Sequence, residues 1–445
     1  MNSQESLEAV RKILAPSTLS YIEEIVLLHS LEGRLYREIA QEIGYEEGYL
    51  KDIGSRLWLS LSQELGREVT KKTIRLIVAD YCADKSLPAT QSPLTDPVFG
   101  KIDFPGHPLP FGSALYVPRS PLENLAIESL HHSGSLIRIK APKRMGKTSL
   151  INHVMGNAHQ AGMQTVVVDM RQADPSVLED LDHFLRWFCW VIGQQLNLSP
   201  KFDEYWFASA GSKLSCTTYV QEYFLRQSQV PIAIAIDTVH HLVEYPDIAK
   251  NFFAMLRSWY EQSRVREDWQ KLRLIIAHVA ELDLQLPSHQ SPFNVGLPLD
   301  LPWLTPTQVN DLAARYKLHQ VGICDFGTLQ PLLDVVGGHP YLLQLAFYWL
   351  RSGHVSLAQL LQEAGTDKGI YGEHLRCLGR DLERDDTLMT AFQQVLFTPK
   401  PTPLNAKMAY RLEDMGLVRM HGFKASLQCE LYRQYFGAYP ESQRG

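Results

Sequence analysis

Residues 135–149, SLIRIKAPKRMGKTS, constrain this chain more than any other stretch. Leu136-Ile137-Arg138-Ile139-Lys140 alternates apolar and polar residues and reads as a strand. Gly146-Lys147-Thr148-Ser149 closes the loop after it, and Leu150-Ile151-Asn152-His153-Val154-Met155 continues as an apolar helix. Strand, loop and helix in that order suit a phosphate-binding loop, because loop amides and a helix N-terminus can converge on phosphate oxygens. In this reading Lys147 reaches the β- and γ-phosphates, and the Thr148 hydroxyl is a ligand of Mg²⁺. The usual pattern GxxxxGK[ST] starts here with Ala141, and a small residue can stand there while its φ stays negative. The candidate nucleotide contacts are Ala141, Lys143, Arg144, Met145, Gly146, Lys147, Thr148 and Ser149. The plainer reading of the same residues is an ordinary strand–loop–helix.

The surroundings favour a nucleotide site. Thr165-Val166-Val167-Val168-Asp169, Pro231-Ile232-Ala233-Ile234-Ala235-Ile236-Asp237 and Leu272-Arg273-Leu274-Ile275-Ile276-Ala277-His278 are continuous apolar runs with polar ends. Such runs suit parallel strands buried on both faces. Helical stretches over 121–130, 178–196 and 252–260 alternate with them, so the fold class is α/β with a mostly parallel sheet. A short strand, Leu115-Tyr116-Val117, is expected ahead of the first of these helices. Asp237 ends a buried strand and is the expected second anchor of Mg²⁺, against the plain reading of a strand-end cap. The catalytic position beside it is Thr238, where a carboxylate usually orients and deprotonates the attacking water. A threonine hydroxyl is a poor base at neutral pH. His240 and His241 follow, and the blander reading, a surface pair at a helix start, is preferred to a base. The cradle therefore looks intact and its hydrolytic half eroded.

A length of 445 residues suggests about two to four domains. Hydrophobic content of 45% with 21% charged residues is that of an ordinary globular protein, and a net charge of −6 supplies no global basic field for nucleic acid. The cysteines Cys82, Cys189, Cys216, Cys324, Cys377 and Cys429 form no CxxC, which argues against zinc and against a disulfide framework. No signal-peptide-like start and no long apolar run is present, so the expectation is a reduced, cytoplasmic setting with no membrane partner.

Five segments are expected. Residues 1–84 read as a helical module: 20–31, 35–43 and 49–65 are helical, and Gly44 with Gly48 marks a turn between the last two. The third of these helices would be the reader in a DNA-binding version, but Glu46, Glu47 and Asp52 crowd its front end, so protein interaction is preferred to DNA reading. Lys71, Lys72 and Arg75 remain candidates for a phosphate backbone. Residues 85–112, rich in Pro and Gly, form a linker. Residues 113–304 form the core, 305–378 a helical segment with helices at 305–320 and 327–364, and 379–445 a module of helices and hairpin. In that last module Met408–Met415 is a helix, Leu417–Met420 a strand, His421-Gly422-Phe423-Lys424 a tip and Leu427–Leu431 a second strand. Arg411, Arg419, Lys424 and Arg433 could face phosphates, but docking of the module on the core is preferred.

Ala141-Pro142-Lys143-Arg144-Met145-Gly146-Lys147-Thr148-Ser149 resembles the P-loop of cyanobacterial AAA-like ATPases related to the STAND NTPases. Ser291-Pro292-Phe293-Asn294-Val295-Gly296, Gly337-Gly338-His339-Pro340-Tyr341-Leu342-Leu343, Arg411-Leu412-Glu413-Asp414-Met415-Gly416-Leu417-Val418 and Cys429-Glu430-Leu431-Tyr432-Arg433-Gln434-Tyr435-Phe436 are similar to later motifs of that family. Tyr45-Glu46-Glu47-Gly48-Tyr49-Leu50-Lys51-Asp52-Ile53-Gly54 resembles the helix-turn-helix module of vWA-MoxR-associated proteins. The resemblance implies an AAA-like core, a helical lid and a C-terminal winged helix. It also implies ATP or ADP with Mg²⁺, and a lid element Gly338-His339-Pro340 that places His339 and Pro340 at the nucleotide. Read alone, the same residues are a helix start with Pro at its first position. The chain departs from the family at Thr238 and at Val279-Ala280, ahead of Glu281. Arg119 matches an Arg that precedes the core in relatives.

The leading expectation is an ATP-binding signalling switch with weak or absent hydrolysis. It would act on a protein partner through residues 1–84, with self-association as a further partner class. A DNA-binding regulator or DNA-loading ATPase of origin-recognition type comes second, and a non-hydrolysing pseudo-ATPase scaffold third.

Overall fold

The computed structural model describes residues 21–31, 34–43, 47–65, 69–71, 73–74, 102–279, 287, 289–323 and 326–438. The chain divides into two compact units, Met1–Gly100 and Lys101–Gly445. Lys72, Arg75, Cys82, residues 85–101, Ala280, Glu281 and Cys324 lie outside the described residues.

In the first unit the expected helices stand at Tyr21–Leu31, Tyr36–Ile43 and Glu47–Leu65. Val26, Leu27, Ile39, Leu50, Leu57 and Leu61 form their shared core. Gly54 lets the third helix lie against Tyr36, where a Cβ would come within 1.9 Å of the phenol oxygen. Tyr36 in turn accepts a hydrogen bond from Trp58 Nε1 at 2.9 Å. Glu47 pairs with Lys51 on the front turn of the third helix. The Lys71 ammonium sits 3.6 Å from the centre of the Tyr36 ring with its nitrogen buried, so it does not face outward toward a phosphate backbone.

The second unit is built on a parallel sheet of β1 (Leu136–Lys140), β2 (Gln164–Asp169), β3 (Ile232–Asp237), β4 (Leu272–His278) and β5 (Leu297–Asp300), in the order β2-β3-β4-β1-β5. Every pairing is parallel, so all five C-terminal ends open on one side. β3 and β4 are buried along their whole length, as their unbroken apolar runs require. β5 was not foreseen; it is short, contains Pro298 and occupies an edge, the position in a sheet that tolerates proline. The helices Leu122–His131, Lys147–Gln160, Leu181–Gln195 and Pro246–Gln262 cover the two faces.

Three local expectations are corrected. Residues 115–117 form no strand: Tyr116 donates its N–H to Ser113 in a turn, its ring stacks on His153, and Val117 is buried among the later helices. The stretch 327–364 is divided into helices Phe326–Val336, Pro340–Ser352 and Leu357–Glu363, broken at Gly337-Gly338 and again at Gly353. The helix expected over 305–320 spans Pro306–Arg315, opened by a capping box of Thr305 and Gln308.

Residues 386–437 carry helices Asp386–Leu396, Ala406–Asp414 and Glu430–Gly437 around a small antiparallel sheet of β6 (Thr402–Pro403), β7 (Val418–His421) and β8 (Lys424–Leu427), in the order β6-β8-β7. The second hairpin strand thus comes earlier than expected. Gly422, at φ 64, closes a tight turn with Phe423, and His421 pairs directly with Lys424. Residues from Glu430 onward bury Leu431, Tyr432, Tyr435 and Phe436, a helical spacing that the strand reading overlooked.

Candidate functional site

The loop after β1 turns through two left-handed residues, Arg144 at φ 63 and Gly146 at φ 92, and feeds the helix that begins at Lys147. That helix has no acidic residue in its first turn, so no side-chain carboxylate there competes for its free amides. Gly146 suits the left-handed φ of this position, and a Cβ there would crowd Arg119 Nη2 at 3.1 Å. The Lys147 side chain is buried and donates to the carbonyls of Ala141 at 2.7 Å and Pro142 at 2.9 Å. Burial pulls its pKa down to about 8, against the opposing pull of Asp237 and Asp414. Ala141 and Met145 point into the core, so only their backbone can serve a ligand.

Thr148 Oγ1 donates to Asp237 Oδ2 at 2.5 Å, and Asp237 Oδ1 accepts from the Thr238 amide at 2.7 Å. The sheet register sets Asp169 beside Asp237. Burial raises the Asp169 pKa, but hydrogen bonds from Arg171 and then Thr238 outweigh it and leave the carboxyl below its ordinary range. Thr238 itself is left-handed, at φ 57. Asp169 and Arg171 escaped the sequence reading because a strand-end carboxylate followed by a basic residue is common.

His240 corrects an expectation: it is not a surface histidine but faces the same cavity, with Nδ1 buried and unpartnered. Burial and then Lys147 push its pKa to about 4, so the ring is neutral at pH 7. His278 is also neutral: burial brings it to about 4, with Nδ1 2.6 Å from the Val279 carbonyl oxygen.

Lys147, Thr148, Arg171, Asp237, Thr238 and His240 line a cavity of about 560 Å³ at the C-terminal ends of the strands, within the size range of small-molecule sites. Its floor includes Lys147, Thr148, Ser149, Asp237 and Thr238, and its roof is Pro340, Tyr341 and Gln344. A third wall comes from the second half of the expected linker. Leu109 donates its N–H to Ser149 Oγ and accepts from Asn152 Nδ2, both at 3.0 Å. Phe111 lies against Gly156, and Phe104 against Tyr348 and Trp349. This segment is therefore part of the site, fixed through the residue that follows the loop threonine. Arg119 donates from Nη2 to the Met145 carbonyl at 2.7 Å, and its Nη1 is buried without a partner.

His339 does not line the cavity. It is buried, caps the helix Pro340–Ser352 through Nδ1 and the Leu342 amide, and is held to about 3 by burial and then Arg144. Pro340, at the first turn of that helix, does reach the cavity.

Among the described residues no cluster of three or more His, Cys, Asp or Glu suits a metal ion. The Thr148 hydroxyl and Asp237 carboxylate still fit Mg²⁺, which takes hard oxygen ligands and is usually held by one or two protein groups together with phosphate and water.

The model of the AAA-like domain matches residues 104–438. The chain belongs to the AAA-like domain family. The model of the vWA-MoxR associated protein N-terminal HTH matches residues 1–81, ahead of the AAA-like domain. No curated protein matches the chain. Similar solved structures include the Walker-type ATPase PABY2304 of Pyrococcus abyssi, at 14% identity over 72% of this chain and 95% of that one, TM-score 0.48. The Aeropyrum pernix ORC2 protein in its ADPNP–ADP complexes is 13% identical over 75% and 95%, TM-score 0.45. The Aeropyrum pernix ORC1 protein in complex with DNA is 13% identical over 72% and 94%, TM-score 0.36. Among the described residues no helix is long and apolar enough to cross a membrane.

Proposed function

We propose that the AAA-like domain binds ATP or ADP with Mg²⁺ in this cavity and works as a nucleotide-dependent switch with slow hydrolysis. The observation that carries the reading is Lys147: a buried ammonium, satisfied only by carbonyls of its own loop, set at the floor of a cavity beside the Thr148–Asp237 pair. Phosphate oxygens would replace those carbonyls and supply the counter-charge. Thr148 and Asp237 are the Mg²⁺ ligands in this reading. The bound metal would neutralise charge on the phosphates.

Slow hydrolysis follows from Thr238. Asp237 is the metal ligand in this reading, Asp169 beside it is engaged by Arg171, and His240, with a pKa of about 4, is a weak base. The roof belongs to the helices after residue 305, the expected lid. Residues 379–445 are read as a winged helix docked on the core and residues 1–84 as the output module. A ligand shifts such a switch only through its different affinity for the two arrangements.

A DNA-loading role comes second. Its support is the exposed tip of the β7–β8 hairpin, where Phe423 is 94% exposed next to Lys424. Against it, Arg411 pairs with Asp385, Arg433 with Glu430, and Arg419 lies over the Trp303 ring, so these basic groups are spent within the chain. Binding and turnover of ATP and ADP, measured on one sample, test the reading. Tight binding with little turnover is expected, brisk turnover refutes slow hydrolysis, and absence of binding refutes the whole.

A further inference from the structure

Arg144 connects the loop of the cavity to two later elements of the fold. Its left-handed backbone is strained for a residue other than glycine and persists where the surroundings over-determine it. The side chain supplies that restraint. Its guanidinium carbon is 4.4 Å from the centre of the Tyr341 ring, and Nη1 is 3.0 Å from His374 Nδ1. A guanidinium only donates, so Nδ1 accepts and the imidazole proton sits on Nε2. From there it is donated to the Tyr432 hydroxyl at 3.2 Å. His374, on the helix Gly372–Glu383, and Tyr432, on the helix Glu430–Gly437, are both buried. Burial first, then Arg144 and His339, hold His374 well below its usual range, which keeps it the neutral acceptor this geometry needs. A second contact joins the same parts: the Lys143 amide donates to the Asp414 carbonyl at 3.2 Å. The loop that cups the cavity is thus bonded to the C-terminal module through one side-chain relay and one backbone bond.

We propose that Arg144 and His374 are positioning residues that hold the phosphate-facing loop in its binding shape through the docked C-terminal module, so that nucleotide binding and docking of residues 386–437 strengthen each other. The inference rests on the nucleotide-binding reading above. Linkage makes the effect reciprocal: whatever the docked module adds to nucleotide affinity, nucleotide adds to docking. Tyr432 does not line the cavity, and its hydroxyl is tied to the loop through His374 and Arg144.

The test uses the full chain, calorimetry with Mg-ATP, and amide exchange over the helix Glu430–Gly437. His374→Leu is expected to weaken ATP binding on the order of tenfold. His374→Asn keeps an acceptor near the position of Nδ1 and is expected to recover most of that loss. Nucleotide is expected to slow exchange in the last helix of the wild type and not of His374→Leu. Wild-type affinity in His374→Leu, or exchange in the last helix that nucleotide leaves unchanged in the wild type, overturns the coupling while leaving nucleotide binding in place. If the wild type binds no nucleotide, both the coupling and the reading beneath it fall. Should His374→Leu lose cooperative unfolding, Tyr432→Phe removes a single hydroxyl and must show the same changes at smaller amplitude; wild-type values in that variant overturn the proposal.

Discussion

Thr148 and Asp237 meet oxygen to oxygen at 2.5 Å across 89 positions of sequence. Thr148 lies in the first turn of the helix that follows β1 and Asp237 ends β3, two strands that are not neighbours, since β4 lies between them. The contact is a consequence of parallel topology: every strand delivers its last residue to one edge, and the loop after β1 turns back over it. Asp237→Asn keeps the shape and removes the charge. ATP affinity without Mg²⁺ is expected to stay close to wild type, and the gain on adding Mg²⁺ to be mostly lost. Calorimetry in Mg²⁺ and in EDTA reads both, and an undiminished gain would remove Asp237 from the metal site.

Thr238→Glu is expected to speed hydrolysis. General-base assistance is worth roughly 10²–10⁴-fold, and the wild type has a hydroxyl at this position. The left-handed backbone at Thr238 is no obstacle, because a β-branched residue already accepts it. Asp169 nearby opposes a second carboxylate, so the gain should sit at the low end of that range. Turnover and affinity are measured together. A variant that binds ATP normally and turns over no faster would place the limit elsewhere, and brisk wild-type turnover that survives Thr238→Ala would point to another base, with His240 next in line.

Gly338→Ala should destabilise the roof. A Cβ at Gly338 would stand 2.2 Å from the Leu304 carbonyl oxygen, a backbone atom that cannot swing aside. Overpacking of this kind costs about 1–3 kcal/mol, so a lower melting temperature is expected, together with weaker nucleotide binding. Unchanged melting would mean the turn moves freely.

Acid should destabilise the AAA-like domain before its carboxylates titrate. His278 and His240 fall from the usual 6.5 to about 4 in the folded chain, and His339 to about 3, each because burial disfavours the charged ring. Below pH 6.5 the unfolded chain therefore binds more protons than the folded one, and stability is lost as pH falls toward 4. Chemical denaturation at pH 7, 6 and 5 should show that decline. His278→Gln should flatten it in part, and an equal slope in wild type and variant would contradict the assignment.

The N-terminal unit has its own core, so residues 1–84 are expected to fold alone and bind duplex DNA weakly at best. Glu47 and Lys51 neutralise each other, and Lys71 is turned onto Tyr36. Tight, sequence-specific retention in a gel shift at physiological salt would overturn this.

What the sequence disclosed depended on whether a signal was local. β3 and β4 were legible because strands buried on both faces are written as unbroken apolar runs, and β1 because its alternation leads straight into the loop motif. β5 was not, because an edge strand containing proline gives no such run. Thr148 and Asp237 were legible because each sits at a motif or strand end. Arg171, and Leu109 with its segment, could not be found that way, since they reach the cavity by tertiary placement alone, and Arg119 was marked only by resemblance. His339 had a double signal, a nucleotide contact by resemblance and a helix cap by local chemistry. Its buried ring performs the cap, while Pro340 lines the cavity.

The central claim is that Lys147 anchors a nucleotide. Calorimetry with Mg-ATP on the full chain and on Lys147→Ala tests it most directly, with thermal unfolding run alongside to show that the variant is folded. The account predicts binding to the wild type and no measurable binding to the folded variant. Equal affinity in the two would contradict it.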